Sequence, residues 1–122
     1  MDPQRVGLGR RGEQLAVDVL RQRGYEIVCR NWRCQVGEVD IVTRRCSTWT
    51  FFEVRTRRGQ AFGTPEESVT PDKVERMAGV AQMYLTEHNQ NVHDVGWQLG
   101  VVAVEMDRAG YLLRIDVYEN LC

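Results

Sequence analysis

Apolar residues follow a helical rhythm in two stretches of the chain and a two-residue rhythm elsewhere, and together they predict the element order αβββαββ. Leu8 to Arg23 reads as a first helix with Leu15, Ala16, Val19 and Leu20 as its apolar stripe, stopped by Gly24. Tyr25 to Trp32, Val39 to Arg45 and Thr48 to Arg57 alternate as strands, the last two forming a hairpin. A second helix begins with Thr70 as cap and Pro71 in its first position, and carries Val74, Met77, Ala78, Ala81 and Leu85 on its buried face. Trp97 to Glu105 and Tyr111 to Val117 close the set around a turn at Asp107 to Gly110. The unbroken apolar run Val101-Val102-Ala103-Val104 suits a strand covered on both faces, which calls for helices on both sides of the sheet.

The hairpin carries the chemistry. With the reversal at Cys46-Ser47, antiparallel pairing sets Asp40 opposite Glu53 and Glu38 opposite Arg55, and strict alternation places all four on one face. Ile41, Phe52 and Val54 then face the other way. Two carboxylates about 4–5 Å apart repel by roughly 3–4 kcal/mol at an effective dielectric near 20. A cation relieves this, and two are available: a divalent metal, or Arg55. The plainer alternative is a Glu38–Arg55 ion pair with Asp40 and Glu53 on a solvated face.

A chain of 122 residues fits one domain, 1–122. It shows neither a signal-peptide pattern nor a membrane-length apolar run, so a soluble, cytoplasmic protein with no membrane partner is expected. Cys29, Cys34, Cys46 and Cys122 form no CxxC pair and no zinc pattern with His88 and His93, and read as reduced thiols.

The net charge of −1 conceals two unlike halves: 12 Arg against 7 acids in residues 1–60, and 4 basic against 10 acidic residues in 61–122. Arg10, Arg11, Arg57 and Arg58 in the basic half are candidate phosphate contacts, alongside Arg30, Arg33, Arg44 and Arg45, with a solvated surface as the alternative. Lys73, the sole lysine, falls in the first turn of the second helix, where the dipole disfavours a cation. It is a candidate phosphate or carboxylate partner, against simple pairing with Asp72 or Glu75. Arg58 to Thr70 reads as a long loop, and Trp32, Trp49 and Trp97 as core residues more than as base-stacking platforms.

Taken in order, Gly12-Glu13, Arg30-Asn31-Trp32-Arg33, Gly37-Glu38-Val39-Asp40, Phe52-Glu53-Val54-Arg55, Phe62-Gly63 and the Lys73 helix resemble the bacterial YraN-like proteins. That family is similar to the PD-(D/E)xK nucleases, with archaeal Holliday junction resolvases among its nearer relatives. The resemblance implies a restriction-endonuclease-like α/β fold: a mixed sheet of about five strands flanked by helices. It also implies Mg²⁺ or Mn²⁺ held by Asp40 and Glu53, with Glu13 reaching the same ion directly or through water. Glu13, Asp40, Glu53 and Arg55 are then the catalytic set of a metal-dependent endonuclease-like phosphodiesterase acting on DNA, with Arg10, Arg11, Arg57, Arg58 and Lys73 contacting the nucleic acid. Two departures stand out. Arg55 occupies a position that is usually Lys, and arginine does not accept protons; Gly100 stands where relatives often carry Asp. A decayed site serving as a DNA-binding module, and a homodimeric interaction protein, are the other two classes.

Overall fold

In the computed structural model, residues 3–59 and 63–121 are described, with side chains from residue 9 onward. Phe62 of the Phe62-Gly63 motif and Cys122 lie outside the described residues. The elements are α1 (Pro3–Gln22), β1 (Glu26–Arg33), β2 (Glu38–Arg45), β3 (Thr48–Arg58), a short 3-10 turn (Glu66–Ser68), α2 (Pro71–Glu87), β4 (Gly96–Met106) and β5 (Leu112–Tyr118). This is the order αβββαββ.

The five strands form one sheet in chain order, β1-β2-β3-β4-β5. All neighbours are antiparallel except β3 and β4, which run parallel and make the sheet mixed. Parallel neighbours need a crossover, and α2 supplies it. Successive residues of β3 feed opposite layers: Phe52 and Val54 pack with Ala16, Val17 and Leu20 of α1, while Phe51 packs with Val80, Ala81, Tyr84 and Leu85 of α2. Helices therefore cover both faces, as the apolar run in β4 requires.

Gly24 ends α1 at φ +88°, a left-handed conformation that glycine adopts without a Cβ clash, and Tyr25 N–H closes onto Leu20 O at 3.0 Å. Thr70 caps α2 by accepting from Lys73 N–H at 3.3 Å, and Pro71 occupies the first turn. Val17, Val80 and Tyr84 join the core beyond the expected stripes. The tryptophans serve packing: Trp49 is buried, Trp32 meets Tyr84 edge-on with centroids 5.2 Å apart, and Trp97 Nε1–H donates to Val92 O. His88 stacks on Tyr84 at 3.9 Å, in the same layer. Cys29, Cys34 and Cys46 are free thiols. Among the described residues no helix is long and apolar enough to cross a membrane.

Candidate active site

The β2–β3 hairpin turns at Cys46-Ser47, with Cys46 at φ +56°, and keeps the expected register: Ile41 faces Phe52, Val42 faces Phe51 and Thr43 faces Thr50. The ladder then stops. Beyond Ile41–Phe52 the strands part, and Asp40 Oδ2 takes up the N–H of Val54 at 2.7 Å in place of a backbone carbonyl. The candidate site is this fork.

Strict alternation fails here, and the shared face expected for Glu38, Asp40, Glu53 and Arg55 is not formed. Arg30 and Asn31 both direct side chains to Glu13 on α1, whereas Trp32 packs toward α2. Two successive residues on one face require a break in the pleat, and Asn31 provides it at φ +54°, a region Asn tolerates better than most side chains. The paired strand β2 does the same: Ile41 belongs to the α1-side core and Val39 to the α2-side core. Asp40 between them lines a cavity of about 430 Å³ with Glu13, Asn31, Val54 and Thr56. Glu53 lines a cavity of about 230 Å³ on the other side, with Gly37, Lys73, Arg76 and Met77. Glu38 borders both, so the acids approach one fork from two sides of the sheet.

Glu13 reaches the fork because α1 lies almost against β3. A Cβ on Gly12 would collide with the Thr56 hydroxyl, so only glycine permits this approach. Glu13 Oε1 accepts from Asn31 Nδ2 at 2.9 Å and Arg30 Nε at 3.2 Å. Glu38 pairs with Arg33 Nε at 2.7 Å, not with Arg55. The Arg55 guanidinium is held by Ser68 Oγ, which accepts from Nε at 2.8 Å, and by Glu53 Oε1, 3.4 Å from Nη1. Glu53 Oε2 is buried and has no hydrogen-bond partner.

Lys73 borders the Glu53 cavity, and among the described residues no ion pair joins it to Asp72 or Glu75. Arg10, Arg11, Arg57 and Arg58 border neither acidic cavity. Arg76, Asn31 and Ser68 are site neighbours the sequence did not single out; Arg76, one turn after Lys73 on the same helix face, was findable from that spacing. Ser68 is fixed from β5: Arg114 binds Glu66 through two bonds of 2.9 Å, and Tyr118 O–H donates to Glu66 at 2.7 Å, which pins the 3-10 turn. Gly100 faces the Phe52 ring and Tyr118 O so closely that a Cβ has no room, so an Asp there is excluded by packing.

Burial pushes the Asp40 carboxyl up to about 6; the Val54 N–H opposes this, and the negative charges of Glu53, Glu38 and Glu13 add to it. An unpartnered carboxylate oxygen, together with a second carboxylate disfavoured by burial and by three neighbouring acids, fits a hard cation. Two carboxylates are the number Mg²⁺ commonly takes from protein. Among the described residues no three His, Cys, Asp or Glu side chains gather as a ready-made cage.

The model of the family described as "Uncharacterised protein family UPF0102" matches residues 12–118. The chain belongs to this family. A UPF0102 protein of Acidothermus cellulolyticus is 52% identical over 111 residues, covering 90% of this chain and 84% of that protein. One of Caldicellulosiruptor saccharolyticus is 38% identical over 113 residues, covering 93% and 94%. One of Nocardia farcinica is 50% identical over 82 residues, covering 67% of this chain and 65% of that protein. The matched span in UPF0102 includes Glu13, Asp40, Glu53, Arg55 and Lys73.

Proposed function

We propose that this UPF0102 protein is a divalent-metal-dependent phosphodiesterase acting on DNA in the manner of an endonuclease. The observation that carries the reading is the buried, unpartnered Glu53 Oε2, on a carboxylate whose charge acts on Asp40 across the fork of β2 and β3. A buried carboxylate oxygen without a partner is costly, and a bound cation removes the cost. Asp40 and Glu53 would hold Mg²⁺ or Mn²⁺, with Glu13 behind Asp40. When bound, such an ion lowers the pKa of water and offsets charge on the attacked phosphate.

The chain's own groups would do the rest. Val54 N–H and the rigid hairpin fix the Asp40 carboxylate, so little reorganisation is needed as substrate arrives. Arg55, oriented by Ser68, presents positive charge toward the phosphate but does not take up a proton. Lys73 borders the same cavity as Glu53 and is a cation able to exchange one, which fits it to the place Arg55 leaves open. Arg10, Arg11, Arg57 and Arg58 lie outside the acidic cavities and would contact the polymer backbone away from the cleaved bond.

A second reading rests on a different observation. Arg55 already sits 3.4 Å from Glu53, where it supplies the neutralising charge expected of a metal. A site closed in this way would bind DNA without cutting it. Purified protein incubated with supercoiled plasmid and Mn²⁺ or Mg²⁺ separates the two: nicking abolished by Asp40→Ala and by Glu53→Ala supports the phosphodiesterase. Nicking that survives both changes would refute the assigned site. Binding in EDTA with no cleavage in any metal supports the second reading.

A further inference from the structure

Beyond the fork, three arginines from three separate elements meet at the end of the sheet where β3 finishes. Arg58, at the end of β3, donates from Nε to the carbonyl of Arg108 in the β4–β5 turn at 2.8 Å. The Arg108 side chain in turn lies over Gly59, its Cγ 3.6 Å from where a Cβ would stand. Arg11 of α1 reaches the same turn, with Nη1 3.5 Å from the corresponding point on Gly110. Gly59 and Gly110 have φ of +79° and +91°, so both bends need glycine to bring these side chains together.

The cluster is electrostatically incomplete. Arg11, Arg58 and Arg108 are exposed, and among the described residues none has an ion-pair partner. Two acids line a cavity with Arg108: Glu105 is paired with Arg114 at 3.0 Å, and Asp107 is held in the turn, its Oδ1 accepting the Tyr111 N–H at 2.9 Å. Three guanidinium groups outnumber the one carboxylate beside them that no ion pair neutralises, Asp107, and a net positive cluster favours a polyanion.

Directly after the turn stands Tyr111, 69% exposed, followed by Leu113 at 61% where the pairing of β4 with β5 slips by one residue. Tyr25, Trp32, Trp49, Phe51, Phe52, Tyr84 and Trp97 are spent on packing, and Tyr118 on its bond to Glu66. Tyr111 is not. An exposed aromatic ring beside a cluster of free guanidinium groups is the pairing by which proteins hold unpaired nucleic acid: rings stack on bases and cations track the backbone. In a duplex the bases already stack on each other and offer the ring nothing.

We infer that the β4–β5 turn, with Arg11, Arg58, Arg108 and Tyr111, is a binding site for single-stranded nucleic acid, holding an unpaired strand at the end of the sheet beyond the acidic fork. It deepens the reading above by naming the form of the polymer, and rests on that reading for the polymer alone, not for cleavage. Arg108 and Tyr111 are its new residues.

The test is fluorescence anisotropy with labelled oligothymidine and with a labelled duplex, in EDTA, across salt concentrations. Because divalent ions are chelated throughout, the absence of any nuclease activity leaves the result untouched. The wild-type protein should bind the single strand more tightly than the duplex. Arg58→Gln combined with Arg108→Gln should reduce the log–log salt slope by roughly 1.4, the value for two phosphate contacts on a single strand. Tyr111→Ala should weaken single-strand binding by about 5-fold to 100-fold, and Tyr111→Phe, which keeps the ring, should retain it. Equal affinity for duplex and single strand, or binding unchanged in both the double-arginine and Tyr111→Ala variants, overturns the inference. So does a concentration-dependent dimer that Tyr111→Ala disperses while no oligonucleotide binds, since the face is then a contact between copies of the chain.

Discussion

Asp40 Oδ2 receives the backbone N–H of Val54 at 2.7 Å, one step beyond the last paired residues of β2 and β3. One carboxylate thus completes the hydrogen bonding of a separating strand and stands at the centre of the candidate site. The two duties conflict, because the charge that suits a metal is costly in the empty fold.

That conflict gives a pH signature. The Asp40 carboxyl is raised from an ordinary 3.8 to about 6, so the folded state holds its proton across a window where the unfolded chain has lost it. The favourable contribution is complete below about pH 4 and disappears as pH rises through 6. Asp40→Asn keeps an acceptor for Val54 and removes the charge. In EDTA it should match the wild type near pH 4 and exceed it by about 3 kcal/mol at pH 7, read as the difference between urea denaturation curves. A constant difference across that range would mean the charge is not the destabilising element. The same variant should lose Mn²⁺ binding by calorimetry.

Arg55→Lys tests whether the want of a proton acceptor at this position limits cleavage. Lysine places a compact cation two residues after Glu53 and gives up the planar fork by which Arg55 spans Ser68 and Glu53. Turnover in Mn²⁺ should rise by about ten-fold or more, within the range that a positioned proton acceptor supplies. Arg55→Ala, which removes the cation altogether, should fall below the wild type. A drop in both variants would show that the arginine is itself the required group.

Glu66 links the far edge of the sheet to the site. Arg114 holds its carboxyl down at about 2 against an ordinary 4.5, so its stabilisation is present above pH 4.5 and is lost as pH falls toward 2. Arg114→Ala would leave Glu66, Glu105 and Asp116 facing one another without their shared cation. A loss of about 1–3 kcal/mol at pH 7, shrinking in acid, is expected from urea titrations. The released 3-10 turn should also free Ser68, which amide exchange at Ser68 and Val69 would report.

Gly12→Ala should cost about 1–3 kcal/mol, because the new methyl meets the Thr56 hydroxyl. Thr56→Ala in the same chain should recover much of the loss. If Gly12→Ala is neutral by itself, α1 has room to move and Glu13 is less firmly placed than the packing indicates. Recovery without a return of Mn²⁺ affinity would separate the stability of α1 from its part in the site.

Much of this architecture was legible in the sequence. The hairpin register followed from a turn at Cys46-Ser47, and Gly24, Thr70 and Pro71 marked helix ends through local backbone preferences. The face of Asp40 was not legible. It depends on Asn31 taking a left-handed conformation, which asparagine permits but does not announce. Glu38 chose Arg33 over Arg55 because the β1–β2 ladder extends to that pair while the β2–β3 ladder has already ended. Tyr84 fell outside the expected stripe of α2 although it is the hub of one core layer, touching Trp32, Trp49 and Phe51. Ser68 was hidden in a loop whose course is set from β5, a contact between positions far apart in the chain.

The irregularity of β1 has a consequence beyond the site. This strand borders the sheet, and its outer rim carries backbone groups open to any extended chain that drifts alongside. A slip in pairing between Ile27 and Cys29, followed by the left-handed Asn31, interrupts that rim twice within a few residues. A neighbouring copy could add only a short stretch of ladder before meeting a break, so the same distortion that turns Asp40 toward Glu13 also guards the molecule against sheet-to-sheet aggregation.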